Sequence, residues 1–207
     1  MDKSYSIAEL RLLFPDAAGQ IRLDMTLATS HKERLAAVER AIDHVVQDLS
    51  RTRQLRQHKN EDLLTADIIL CLGKMGFQAT HDTAYGGHVD VVIEGRDDFL
   101  WLGEAKVHGD YNWLMKGFQQ LATRYSTGLQ GQDAGGMLIY CYNQRADLLM
   151  KEWKERLSEA RPDVAFDASD KSPIEFHSYH AHVNTGISFK VRHLSVSLYF
   201  KPQDTDR

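Results

Sequence analysis

GGHVDVVIEGRDDFLWLGEAKVHGD, residues 86–110, is the stretch on which the fold turns. Two apolar runs, Val89 to Ile93 and Phe99 to Leu102, flank the polar connector Glu94-Gly95-Arg96-Asp97-Asp98, and this pattern predicts a strand, a turn and a second strand. Side chains i and i+2 of a strand share a face, so Glu104 and Lys106 project together while Ala105 turns away. Pairing of the two strands would set Asp90 beside them. Two carboxylates and an ammonium would then gather on an otherwise apolar sheet. Such burial is costly unless the charges pair with one another or bind a cation.

The flanking segments extend the pattern. Asn60-Glu61-Asp62 opens a helix running to about Gly76, with Leu64, Ile68, Cys71, Leu72 and Met75 as its buried stripe. Asn60 suits the cap, Gly73 or Gly76 the end, and Glu61 the positive end of the helix dipole. Tyr111 to Tyr125 reads as an amphipathic helix with Leu114, Phe118, Leu121 and Tyr125 in its core stripe and Gly117, Gln120 and Arg124 on an adjoining face. A glycine-bounded apolar run, Gly135 to Tyr142, predicts a central strand. Arg145 to Ala160 predicts a helix buried through Leu148, Leu149, Trp153 and Leu157.

Asp90 with Glu104-Ala105-Lys106, in this order of helix, two strands, helix, strand and helix, resembles the PD-(D/E)XK nuclease superfamily, the restriction-endonuclease-like fold. The resemblance covers about half the chain, and His88-Val89 stands where the eponymous proline would be. It implies an α/β fold whose central mixed sheet is flanked by helices. It also implies Mg²⁺, with Mn²⁺ as substitute, held by Asp90, Glu104, the Ala105 carbonyl and Glu61. Lys106 would be the catalytic lysine, its ammonium either depressed in pKa or held by Glu104. Gln120 and Arg124 would contact the nucleic-acid backbone, because Tyr125 follows Gln120 by five residues instead of the commoner four and is expected to pack. The implied activity is metal-dependent phosphodiester hydrolysis, on DNA in preference to RNA, in prokaryotic defence or repair. The alternative is a catalytically silent nuclease-fold module that binds nucleic acid or a partner protein in a larger complex.

Charge offers this reading no support: the net value is −4, where a nucleic-acid-binding domain is usually basic. The most basic run, Arg51 to Lys59, either neutralises phosphates near the site or forms the polar face of a helix. No apolar run approaches the roughly 20 residues needed to span a membrane. The opening residues lack a signal-peptide pattern, and Cys71 and Cys141 fall in apolar stretches. A cytoplasmic protein with no membrane partner is expected.

Residues 1–59 are expected to form a helical extension packed on the core of residues 60–207. Ser6-x-x-Glu9 and Ser30-x-x-Glu33 match capping boxes. Leu35, Val38, Ile42, Val45 and Leu49 then form a heptad-like seam, for docking on the chain's own domain or for a homodimer. Ile174 to Phe200 predicts a C-terminal β-hairpin turning at Asn184-Thr185-Gly186, with Leu194, Val196, Leu198 and Phe200 alternating on its return strand. His177, His180 and His182 lie on its first arm. His177 and His180 differ in parity, which favours substrate contact or surface positions over a zinc site. Gly86-Gly87 would allow a tight turn or a close approach to substrate.

Overall fold

The computed structural model describes residues 4–204. Three helices open the chain: α1 (Ile7–Leu12), α2 (Ala17–Leu27) and α3 (His31–Arg51). Both predicted capping boxes form, each serine accepting the glutamate N–H while the glutamate carboxylate returns to the cap backbone. Along α3, Val38, Ile42, Val45 and Leu49 are buried and Leu35 is half-buried. They share one apolar cluster with α4 (Glu61–Lys74) and the central sheet. The chain's own core therefore covers this seam. A single 3₁₀ turn, Arg53–Arg56, carries the basic run into α4. There Arg56 and Lys59 meet Asp67 at 3.1 and 2.6 Å, so two of its cations are paired within the fold.

Helix α4 ends as its sequence implies: Gly76, one residue past the cap at Met75, takes a left-handed φ of +85°. Seven strands then build one mixed sheet. In chain order they are β1 (Gln78–Thr80), β4 (Val91–Glu94), β5 (Leu100–Val107), β6 (Ala134–Cys141), β7 (Ala165–Phe166), β8 (Glu175–Ala181) and β9 (Ser188–Ser197). Their spatial order is β1-β4-β5-β6-β9-β8-β7. Strands β5, β6 and β9 run parallel, and the remaining pairs are antiparallel. A separate small ladder joins β2 (Thr83–Ala84) to β3 (His88–Val89). The predicted strand from Val89 to Ile93 is thus two strands, with Asp90 in the bend between them.

Helices lie on both faces of the sheet. Odd-numbered Val91, Ile93, Trp101 and Ala105 face the cluster formed with α2, α3 and α4. Even-numbered Val92, Leu100 and Leu102 face α5 (Tyr111–Gln120) and α6 (Ala146–Ala160). In α6 the buried side is Leu149, Met150, Trp153 and Leu157, while Leu148 is exposed. The C-terminal hairpin is present as β8 and β9, but it is no appendage, because β9 pairs with β6 along its length. Central placement buries Val191 to Val196 on both faces, so the apolar alternation read from Leu194 does not mark a wet side. Phe200 lies beyond β9 and is exposed.

Candidate metal and phosphodiester site

Strand β4 begins at Val91, which pairs with Gly103. Continuing that register by one residue sets Asp90 opposite Glu104. Beyond Gly103, β5 has no antiparallel neighbour on this side, and two of its N–H groups would be left without acceptors. Carboxylates complete the ladder: Asp90 Oδ2 accepts from Ala105 N at 2.8 Å and Glu61 Oε2 from Val107 N at 2.8 Å. Glu61 reaches this position from the first turn of α4, where Asn60 caps the helix by accepting from Leu63 N at 3.0 Å. His81 Nδ1 donates to the Asp90 carbonyl at 2.7 Å and fixes the bend from the other side.

Lys106 lies at the centre of these groups. Its Nζ is 2.7 Å from Glu104 Oε1, 3.2 Å from Glu61 Oε1 and 3.5 Å from Asp90 Oδ2, and it donates to the Ala105 carbonyl at 3.1 Å. The sequence-predicted Asp90, Glu104, Ala105, Lys106 and Glu61 therefore meet in one place. Glu104 and Lys106 are almost wholly enclosed, with side chains 2% and 6% exposed. Asp90 and Glu61 open to solvent at 22% and 25%.

Enclosure and like charge set the protonation states. Burial first, then the Asp90 charge, pushes the Glu104 carboxyl from 4.5 to about 7, against the pull of Lys106. Burial alone would lower the Lys106 pKa, but Glu104, Asp90 and Glu61 together raise it above its ordinary value. In the metal-free protein the geometry fits the held ammonium, Nζ lying within 3.5 Å of all three carboxylates. Glu104 Oε2 is buried and has no hydrogen-bond partner. An orphaned carboxylate oxygen beside two further carboxylates and a carbonyl is a donor set that suits a hard divalent cation. Among the described residues no three His, Cys, Asp or Glu side chains already stand in a cation-holding arrangement; the three carboxylates converge on the ammonium instead.

Helix α5 roofs the cluster, and Gly117 makes its close approach possible. A Cβ there would lie 3.1 Å from Lys106 Cγ, 3.1 Å from Met137 Cε and 3.2 Å from Glu104 Cγ. After Gln120 the helix widens into one π turn, Leu121–Tyr125, closed by Ser126 N donating to Leu121 O at 3.3 Å. The extra residue between Gln120 and Tyr125 is absorbed there, since a π turn aligns i with i+5. Gln120 Nε2 consequently donates to Tyr125 Oη at 3.0 Å. Tyr125 does pack, being 4% exposed, yet its phenol also senses the site. Burial, then the Glu104 charge, raises its pKa. Gln120 is thus engaged with Tyr125, while Arg124 is exposed, its side chain lying along the Gly86-Gly87 loop.

The Gly86-Gly87 loop approaches this helix closely, not an open substrate face. A Cβ on Gly86 would meet the Arg124 carbonyl at 2.2 Å, and one on Gly87 the Tyr125 ring at 2.7 Å. The three hairpin histidines form no common site. His177 pairs with Asp170 at 2.7 Å, and His182 Nε2 lies 3.0 Å from the Ser126 carbonyl. His180 is buried with both ring nitrogens unpartnered. The surface placement expected for these residues is therefore overturned for His180 and His182.

Comparison of the chain with protein-family models, curated proteins and solved structures finds no match. Among the described residues no helix is long and apolar enough to cross a membrane.

Proposed function

We propose that the chain is a metal-dependent nuclease of PD-(D/E)XK, restriction-endonuclease-like type, hydrolysing phosphodiester bonds with DNA as the favoured substrate. One observation carries the reading: three carboxylates surround one ammonium on an apolar sheet, with a buried carboxylate oxygen left unpartnered. A purely structural core would be as stable or more so with apolar residues in these positions.

In this reading Asp90, Glu104, Glu61 and the Ala105 carbonyl hold one or two Mg²⁺ ions. A bound ion of this kind polarises the scissile phosphate and lowers the pKa of a water. Lys106 stays an ammonium, so it acts as donor and positive charge toward the attacking water or the charge that develops on the phosphate, not as a base. In the structure that ammonium is held by Glu61, Asp90 and Glu104, the same carboxylates that would hold the ion. Gln120 holds Tyr125, and Arg124 offers a planar fork to a phosphate.

Incubation of the chain with supercoiled plasmid, single-stranded DNA and RNA, with magnesium or with chelator, tests the proposal. Cleavage that needs the metal and is lost in Glu104→Ala and Lys106→Ala, with folding retained, is expected. Full activity of Glu104→Ala would refute the mechanism. Metal-independent binding without cleavage would favour the silent module.

A further inference from the structure

We propose that this site takes single-stranded or unpaired nucleic acid, and that Trp113 is the platform on which the base next to the reacting phosphate stacks. The inference rests on the nuclease reading and names the substrate class of the same centre. Two of the three tryptophans are core residues, Trp101 at 1% and Trp153 at 0% exposure, whereas Trp113 is 39% exposed. It sits on the first turn of α5, directly beside the carboxylate cluster. Its ring centroid is 5.1 Å from Lys106 Nζ and 5.0 Å from Lys116 Nζ.

Lys106 thus touches both the three carboxylates and the open indole. A phosphate drawn to its ammonium leaves the attached base at the ring. Lys116 is solvent-exposed, so a base can displace it from the indole and leave it to meet a neighbouring phosphate. In a duplex both faces of a base are covered by its neighbours, and it reaches a side chain only by leaving the stack. An unpaired strand presents its bases without that cost, and stacking on aromatic rings tolerates any sequence.

The charge distribution points the same way. A duplex is tracked mainly through phosphate neutralisation, yet the net charge here is −4. Several cations are committed to carboxylates and unavailable for a basic track: Arg56 and Lys59 to Asp67, Lys190 to Glu39, and Arg192 to Asp43 and Glu175. Stacking beside two lysines adds to what Arg124 offers a phosphate, and it is available only to a base outside a duplex.

The burial of the other two indoles turns intrinsic fluorescence into a report on Trp113. The full chain, in magnesium, is titrated with short fluorescein-labelled oligo(dT), oligo(dU), oligo(U) and a duplex of equal length, all with phosphorothioate linkages that resist cutting; quenching of the protein reports stacking and the anisotropy of the label reports affinity. Saturable quenching by the single strands, with the duplex much weaker, supports the platform, and the dU and U arms, which differ only in the sugar, show which sugar is preferred. Read from the anisotropy of the labelled strand, which does not depend on the protein's own fluorescence, Trp113→Ala should weaken single-strand binding roughly 5- to 150-fold, as expected for one stacked base. Trp113→Phe should restore most of it, and both variants should keep the wild-type melting temperature. Equal affinity for duplex and single strand, or wild-type oligo(dT) affinity in Trp113→Ala, would overturn the inference. The two readings fail separately. Magnesium-dependent cutting of duplex without quenching removes the platform and keeps the nuclease. Quenching by single strands with no cutting of the unmodified strands in magnesium removes the nuclease and keeps the platform.

Discussion

Replacing Glu104 by glutamine should make the metal-free protein more stable, and increasingly so as pH rises. The Glu104 carboxyl titrates at 4.5 when unfolded and at about 7 when folded, chiefly because it is buried and then because Asp90 faces it. A raised carboxyl pKa means that the folded state binds the proton more tightly. Its favourable contribution is therefore complete below 4.5 and is lost as pH climbs through 7. A shift of this size corresponds to about 3 kcal/mol once the carboxyl is ionised in both states, at about pH 8 and above. Glutamine keeps the shape of the protonated acid and an acceptor for Lys106 but cannot ionise. For a chain of this size the predicted gain in melting temperature is roughly 6–12 °C at about pH 8, shrinking to a few degrees or less near pH 5. The assay is a melting series in chelator for both proteins. Their difference isolates Glu104, because His180 and His193 titrate identically in each. A variant less stable than wild type at pH 8, or a difference that does not grow with pH, would refute the reasoning. Glu104 would then be a net stabilising ion-pair partner and not a strained functional group.

Other residues make independent predictions. Gly117→Val should cost about 1–3 kcal/mol, and it should abolish magnesium-dependent cleavage, because its side chain drives into Lys106, Met137 and Glu104; cleavage at wild-type rate would show that the roof can lift. Tyr125→Phe removes the Gln120 hydrogen bond and should cost about 1 kcal/mol in chemical denaturation, whereas no measurable loss would mean that the π turn is held by packing alone. Burial, before the nearby Arg161 charge, lowers the His180 pKa to about 4, so its neutral form favours the fold above the unfolded value of 6.5 and that contribution disappears as pH falls toward 4. His180→Leu should accordingly flatten the acid limb of a stability–pH profile, and an unchanged limb would contradict the assigned burial.

The site was more legible than the sheet that carries it. Glu104 and Lys106 share parity on a strand, and two apolar runs around a polar connector bring Asp90 to them, so local pattern suffices. Helix α4 likewise shows a stripe, a cap and a terminal glycine. By contrast β1 and β7 have three and two residues, too few to display any period. That β9 enters the sheet beside β6 follows from contacts far apart in the chain, which no local alternation encodes. Gln120 and Tyr125 carried a signal, a spacing of five, but on an ordinary α-helical period it separates the two side chains; only the π turn unites them. Gly117 was visible as a glycine inside an amphipathic helix, where it costs about 1 kcal/mol relative to alanine. Such a cost suggests close packing without saying against what. The charge on Lys106 depends on how many carboxylates surround it, and Glu61 arrives from a helix 45 residues away along the chain.

The central claim is that the carboxylates form a divalent-cation centre and not merely an ionic latch at the end of β5. Calorimetric titration with magnesium at about pH 8, where Glu104 is largely ionised, tests it most directly on wild type and Asp90→Asn. Asparagine retains an acceptor for the Ala105 N–H and removes only the charge, so the fold should survive. Saturable magnesium binding in wild type, lost or weakened at least roughly tenfold in Asp90→Asn, is the predicted result. Absence of binding in folded wild type, or equal binding in both proteins, would contradict it.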